Sequence, residues 1–149
     1  MMTVTRWLRT LLLPAVLLLL PSAAALAQAA PTPGCEDFLA ALGDKPESIE
    51  YQGCRQELHG QGKPLVARYR LDGAAAAGVE RYLRQRFDLQ PLHYRCCGWE
   101  APPQSWRDPR TGRDYLIVFA SEETLVSSRA RWDRIDNFHI RVELYTEAI

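Results

Sequence analysis

Two adjacent cysteines, Cys96 and Cys97, are the feature that most constrains how this chain can fold. They begin the segment CCGWE, which ends at Glu100. Neighbouring side chains on an extended strand point to opposite faces of a sheet. If the pair lies on a strand, its two thiols face opposite sides of the sheet. A disulfide from Cys96 and one from Cys97 would then connect the strand to different faces of the protein.

The N-terminus determines how these cysteines are interpreted. Arg6 and Arg9 precede an apolar run from Leu11 to Leu20, and small residues follow as far as Ala29. This order is typical of a secretory signal peptide, and the apolar run is shorter than the roughly 20 residues that span a bilayer. We expect cleavage after Ala29 and a periplasmic or secreted protein without a membrane span.

Export makes disulfide bonds the first interpretation of the cysteines, of which the chain has four. Removal of residues 1–29 would leave 120 of the 149 residues, which is the size of one domain. We assign a lead-in with a short helix to 30–46 and a single α+β domain of unknown function to 47–149. The candidates for disulfide bonds are Cys35, Cys54, Cys96 and Cys97.

The net charge of the chain excludes some classes of partner. The leader carries two of the 18 basic residues and no acidic one, so 16 basic residues remain against 18 acidic residues. A nearly neutral chain has neither the basic footprint of a nucleic-acid-binding protein nor a polybasic patch for anionic lipid. We therefore predict no nucleic-acid partner.

Hydrophobic periodicity predicts the secondary structure. Helical spacing indicates a short helix over 35–42 and an amphipathic helix over 74–87, with Glu80 and Arg84 paired on its exposed side. The proline-containing segment 101–112 is interpreted as a loop. Alternating or continuous apolar residues predict strands near 49–54 and at 65–71, 92–97, 115–120 and 138–144.

The order of these elements predicts a two-layer α+β domain. We expect a mainly antiparallel sheet of about five strands, with one main amphipathic helix and a short N-terminal helix on one face.

Strand alternation also gives a hypothesis for disulfide pairing. If the apolar residues of the third strand face the helices, Cys96 does so too, and Cys97 points to the open side. On the first strand Cys54 would also face the open side, which favours a bond from Cys54 to Cys97 and one from Cys35 to Cys96. A bulge at Gly53 would reverse the alternation and exchange the partners.

Other uses of the adjacent cysteines are less favoured. A metal site could combine Cys96 or Cys97 with His93 and His59, but adjacent cysteines lack the spacer usual in tetrahedral sites. A thiol oxidoreductase would place Cys-x-x-Cys at the start of a helix. A vicinal disulfide requires a strained ring but stays open. We predict two structural disulfides, no metal and no cofactor.

Four residues around the motif form a candidate binding surface. Tryptophan and arginine commonly anchor protein interfaces, so Trp99, Glu100, Trp106 and Arg107 could contact a partner. The alternatives are that the tryptophans pack in the core and that Glu100 is a solvated acid at the start of a loop.

Four segments carry a resemblance to a known family: YQGC at 51–54, GVERYLRQRF at 78–87, the CCGWE motif, and WDRIDNFHIRVELY at 132–145. They resemble a family of small exported bacterial proteins that is catalogued as a domain of unknown function. The resemblance covers Glu47 to the C-terminus. It implies export and disulfide bonds, and it supplies no catalytic residue.

Two classes of function fit these observations. The first is a periplasmic, non-catalytic binding protein with an unknown protein partner in the cell envelope, such as an immunity protein that blocks a toxin. The second is a small cell-envelope hydrolase or a metal-binding protein, in which Glu100, His93, His139 and Asp133 could supply acid-base groups. No nucleophile or paired-carboxylate pattern accompanies them. We therefore favour binding and assign no catalytic residue.

Overall fold

The computed structural model describes residues 32–59 and 62–146. The expected signal peptide and its cleavage point lie outside these residues. Among the residues that are described, no helix is both long enough and apolar enough to cross a bilayer.

The described residues form one sheet in which every strand pair is antiparallel. The strand order is β1-β2-β7-β6-β4-β3, and β5 also pairs with β6. The helical elements are α1 (Phe38–Leu42), α2 (Gly73–Phe87) and a 3₁₀ segment (Arg129–Arg134). The strands are β1 (Glu50–Gln56), β2 (Leu65–Leu71), β3 (His93–Arg95), β4 (Gly98–Glu100), β5 (Gln104–Arg107), β6 (Asp114–Ser121) and β7 (Phe138–Leu144).

The predicted two-layer α+β domain, with about five strands and one main amphipathic helix, is wrong. The described chain is mostly antiparallel sheet, with seven strands and only short helices. The segment 92–97, predicted as one strand, turns after Arg95 and pairs with β4 as a hairpin. The segment predicted as a loop over 101–112 contains β5. Strands of three or four residues are too short to show a clear alternation.

All the helical elements lie on one face of the sheet, which we call the inner face. The start of α2 is capped because the Asp72 carboxylate accepts a hydrogen bond from the Ala75 N–H at 2.9 Å. Burial of each large apolar side chain in this layer contributes about 1.5–3 kcal/mol. The core includes Phe38 and Leu39 of α1, Val79, Leu83 and Phe87 of α2, and Tyr69, Ile117, Phe119, Ile140 and Val142 of the sheet.

The contact between α2 and the 3₁₀ segment is unusually close. A Cβ atom at Gly73 would lie 1.8 Å from the main-chain oxygen of Trp132 and 2.5 Å from that of Ile135. The Gly73 N–H also donates a hydrogen bond to the Ile135 oxygen at 3.1 Å. A glycine is therefore required here so that the two backbones can meet.

The opposite side of the sheet, which we call the open face, has no helix packed on it within the described residues. Residues paired directly across antiparallel strands project to the same side of the sheet. The register therefore assigns to this face Glu50 and Arg55 of β1, Val66, Arg68 and Arg70 of β2, His93 and Arg95 of β3, Glu100 of β4, Arg107 of β5, Asp114, Leu116, Val118 and Ala120 of β6, and His139, Arg141 and Glu143 of β7.

Candidate functional site

A single line of paired positions crosses six strands on the open face, and we call it the polar row. Adjacent strands lie about 4.8 Å apart. Glu100 and His139 stand on either side of the small residue Ala120, so their Cα atoms are roughly 10 Å apart. The row therefore presents an acid and an imidazole separated by a gap. In order it consists of His93, Glu100, Ala120, His139, Arg70 and Glu50.

A depression of about 270 Å³ lies beside the polar row. The side chains that border it include Arg68, Val118, His139 and Arg141. Arg68 and Arg141 are directly opposite each other on β2 and β7. Like charges in directly opposed positions destabilise a strand pair. The depression is thus bordered by two guanidinium groups whose proximity is unfavourable for folding.

Nearby carboxylates offset these two charges only in part. Arg68 donates a hydrogen bond to Glu57 at 2.9 Å, and both side chains are partly exposed. Arg141 Nε lies 2.9 Å from Glu143 Oε1. That contact lacks hydrogen-bond alignment, because Arg141 Nε is a buried donor without a partner among the described residues. Because Arg141 Nε is buried, contact with a ligand would have to come from the exposed parts of the two side chains, which are 44 % exposed at Arg68 and 41 % exposed at Arg141.

The electrostatic effect of the arginines is visible at His139. Loss of hydration among the neighbouring side chains lowers the pKa of His139, and the positive charges of Arg141 and Arg68 lower this pKa further. Glu122 acts in the opposite direction. Burial and the two arginines therefore both disfavour a positive charge on His139.

Trp99, which the sequence places in the candidate surface, is a core residue. Its side chain is only 5 % exposed. Its indole Nε1–H donates a hydrogen bond to the Val126 oxygen at 2.7 Å, and its ring packs against Trp132 and Tyr94 at centroid distances of 5.1 and 5.6 Å. Trp99 therefore cannot contact a partner while this packing is intact.

The other three residues of the candidate surface do not lie together either. Trp106 is half-buried on the inner face, where its ring contacts Phe87 at a centroid distance of 5.1 Å. Arg107 lies on the open face and forms an ion pair with Asp114 at 2.9 Å. Glu100 is exposed on the open face within the polar row. Only Glu100 and Arg107 therefore share a surface.

The acid-base candidates are not assembled into a catalytic group. His93 and Glu100 face each other across β3 and β4, but no hydrogen bond joins them among the described residues. Asp133 lies on the 3₁₀ segment, on the other side of the sheet from His139. This arrangement offers charged and hydrogen-bonding groups for recognition.

The metal-ligand candidates are also separated. His59 follows β1 at one edge of the sheet, whereas Cys96 and Cys97 follow β3 at the other edge. In the described part of the chain, no three His, Cys, Asp or Glu residues are grouped so that they could hold a metal ion.

One disulfide is present, and it differs from both predicted pairs. Cys35 is bonded to Cys54, with their Cα atoms 5.4 Å apart. The register of β1 shifts between Tyr51 and Gly53, where Gly53 has a φ of 122°. This bulge reverses the alternation and turns Cys54 toward the inner face, where Cys35 precedes α1. The predicted bonds from Cys54 to Cys97 and from Cys35 to Cys96 are therefore wrong.

Cys96 and Cys97 are free thiols in a turn. They are the two residues between β3 and β4, whose ends pair as Arg95 with Gly98. Cys96 is exposed and Cys97 is half-buried. A hydrogen bond with the Cys96 thiol is the main cause that raises the pKa of Cys97, and loss of hydration adds to it.

On the inner side of the sheet, Arg129 forms an ion pair with a buried carboxylate. Glu80 is 6 % exposed. Arg129 donates to both Glu80 carboxylate oxygens, at 2.7 and 3.1 Å, and to the Leu92 oxygen. Its guanidinium carbon lies 4.6 Å from the Trp132 ring centroid. The predicted exposed pair of Glu80 with Arg84 is thus replaced by a pair between the buried Glu80 carboxylate and the partly exposed Arg129.

Comparison with known proteins identifies a family but no individual related protein. No curated protein and no solved structure matches the chain. The model of a family described as a domain of unknown function (DUF4952) matches residues 24–99. The match ends at Trp99, inside CCGWE, whereas the resemblance noted in the sequence extends from Glu47 to the C-terminus. The matched residues are 76 of the 149 in the chain, and the protein therefore belongs to this family of domains of unknown function.

Proposed function

We propose that this protein is an exported, non-catalytic binding protein whose open face recognises an acidic segment of a partner protein in the cell envelope. The observation that carries the proposal is the direct opposition of Arg68 and Arg141 beside the depression on an uncovered sheet face.

The chemistry of the two arginines supports an acidic ligand. A guanidinium group binds a carboxylate through two parallel N–H donors. A carboxylate bound between Arg68 and Arg141 would remove the unfavourable like-charge contact. Arg70, on the same strand as Arg68, is exposed and forms no ion pair with a described residue, so a second carboxylate could bind beside the first.

The shape of the site supports a protein segment over a small molecule. The depression of about 270 Å³ is near the lower limit of small-molecule pockets, which typically enclose about 300–1,000 Å³. The charged residues extend across β1, β2 and β7, so they suit an extended contact. Arginine is also enriched at protein interfaces.

Two features support the export that this function requires. The N-terminal segment has the basic, apolar and small-residue regions of a secretory signal. The bond between Cys35 and Cys54 is of a kind that persists in oxidising compartments. A toxin delivered to the periplasm is one partner of suitable location, and the chain would then act as its immunity protein.

Charge reversal on the open face tests the proposal. The double variant Arg68→Glu/Arg141→Glu should lose any acidic partner that the tagged wild-type protein retains after crosslinking in a periplasmic extract. The matched control is Arg81→Glu/Arg84→Glu on the exposed side of α2, which changes the net charge equally and should keep the partner. Equal recovery of that partner by both double variants would contradict the proposal.

A further test separates binding from catalysis. Glu100→Gln removes one charge from the polar row, next to the gap at Ala120. If the protein is a hydrolase that uses this acid, activity in a cell-envelope assay should disappear while the melting temperature is unchanged. Under the binding proposal, this variant keeps its function, with only a modest change in affinity.

A further inference from the structure

The turn between β3 and β4 gives Cys96 an unusual backbone conformation. Cys96 has a φ of 51°, in the left-handed region that few residues other than glycine, asparagine and aspartate adopt. Two-residue hairpin turns that need a positive φ normally use those residues. A cysteine in this position is a backbone outlier, and such outliers concentrate at functional sites.

The same turn contains both free thiols. On an extended strand, the side chains of Cys96 and Cys97 would point to opposite faces. In this turn neither residue belongs to a strand, and a hydrogen bond with the Cys96 side chain is the main cause that raises the pKa of the Cys97 thiol. The turn is also held in place, since the Thr124 N–H donates a hydrogen bond to the Cys97 oxygen at 2.7 Å.

The remaining cysteines leave no other partner within the chain. The chain has four cysteines, and Cys35 is bonded to Cys54. Cys96 and Cys97 can therefore form an internal disulfide only with each other. Both are accessible from solvent, since Cys96 is exposed and Cys97 is half-buried.

We propose that Cys96 and Cys97 are a reversible redox site that closes to a vicinal disulfide when it meets a disulfide oxidant. The oxidant is a low-molecular-weight disulfide or the active disulfide of a thiol oxidoreductase. This site is independent of the proposed binding function, because it depends only on the turn and its two thiols.

The reaction is two successive thiol–disulfide exchanges. One cysteine loses its proton and attacks the oxidant, which forms a mixed disulfide and releases one thiol. The second cysteine then loses its proton and attacks the protein sulfur of the mixed disulfide, which releases the second thiol. Two electrons and two protons pass from the cysteine pair to the oxidant, and a dithiol reductant reverses the reaction.

Closure of the ring would fix the hairpin that contributes to the open face. The strands on either side of the turn carry His93 and Glu100, which form one end of the polar row. Oxidation therefore stiffens that end of the row without adding a new contact to it.

Mass spectrometry of one peptide tests the proposal. Trypsin cleaves after Arg95 and Arg107, so both thiols lie on the peptide 96–107. The purified full chain is incubated with oxidised glutathione, quenched in acid, alkylated with iodoacetamide and digested. We expect this peptide to carry no alkyl groups and to have a mass that is lower than that of the dithiol form by two hydrogen atoms. After treatment with dithiothreitol, the same peptide should carry two alkyl groups.

The single variants Cys96→Ser and Cys97→Ser provide the matched controls. Each should stop at a stable mixed disulfide with glutathione, because the resolving thiol is missing. Three results with the wild-type chain would overturn the proposal: a persistent mixed disulfide, two alkylated thiols after the oxidant, or a crosslink from peptide 96–107 to Cys54.

Discussion

Arginine serves opposite purposes on the two sides of this sheet. On the inner side, Arg129 binds both oxygens of the buried Glu80 carboxylate and stacks over Trp132. On the open face, Arg68 and Arg141 oppose each other in register, with only partial pairing to carboxylates. The first arrangement is satisfied internally and holds elements together. The second is unfavourable in isolation and is available to a ligand.

The largest expected effect comes from exchanging these arginines for a neutral side chain of similar length. Arg129→Met leaves Glu80 buried without its counter-charge, which should lower the free energy of unfolding by about 2–4 kcal/mol. Arg68→Met removes one of two opposed charges at an exposed site and should change stability by less than about 0.5 kcal/mol. Urea denaturation measures both. Equal losses would show that the two arginines do not differ in role.

The second-largest effect concerns the close contact between Gly73 and the 3₁₀ segment, which carries Arg129. Gly73→Ala places a methyl group against the Trp132 oxygen, so it should destabilise the protein by about 1–3 kcal/mol. Gly78 is the control, since a Cβ atom there meets nothing within 4 Å. Gly78→Ala should stabilise α2 by about 0.5–1 kcal/mol. Thermal unfolding of both variants distinguishes the outcomes, and a neutral Gly73→Ala would contradict the close contact.

The smallest effect is a pH dependence from the open face. The pKa of His139 is lowered in the folded protein, so the unfolded chain binds this proton more readily. The stability that His139 contributes is present above the unfolded histidine pKa of about 6.5 and is lost as the pH falls through the lower folded value. His139→Asn should reduce the slope of stability against pH in this range. An unchanged slope would show that neither burial nor the charges of Arg141 and Arg68 lower the pKa of His139.

The sequence predicted the elements that have a clear period. The spacing of Val79, Leu83 and Phe87 predicted the helix over 74–87, which is observed as α2 (Gly73–Phe87). The alternation over 138–144 predicted β7. Both segments are long enough for their hydrophobic pattern to be distinguished from chance.

The wrong predictions concern features that depend on how the strands pair with one another. The strands β3, β4 and β5 have three or four residues each, and the bulge beside Gly53 shifts the alternation by one position. The sequence gives no sign of the short strands, and Gly53 marks only a place where a bulge could form. The disulfide prediction failed because the bulge turns Cys54 toward Cys35 and because Cys96 and Cys97 lie in a turn instead of on a strand.

The candidate site was missed for the same reason. Alternation shows that Arg68 and Arg141 are on the polar side of their strands, but only the register of β2 with β7 shows that they meet. Glu80 was predicted to pair with Arg84 because that residue is near in sequence. The structure instead uses Arg129, which approaches from the 3₁₀ segment.

An NMR titration of the guanidinium groups tests directly whether the open face binds acidic protein segments. The Nε–Hε resonances of Arg68, Arg141 and Arg129 are followed while poly-L-glutamate is added at low ionic strength, with poly-L-lysine as the control. We expect saturable shifts for Arg68 and Arg141, little change for Arg129, and no effect of poly-L-lysine. Shifts confined to arginines of the helical side, or no shift at Arg68 and Arg141, would contradict the assignment of the open face as a binding site for acidic protein segments.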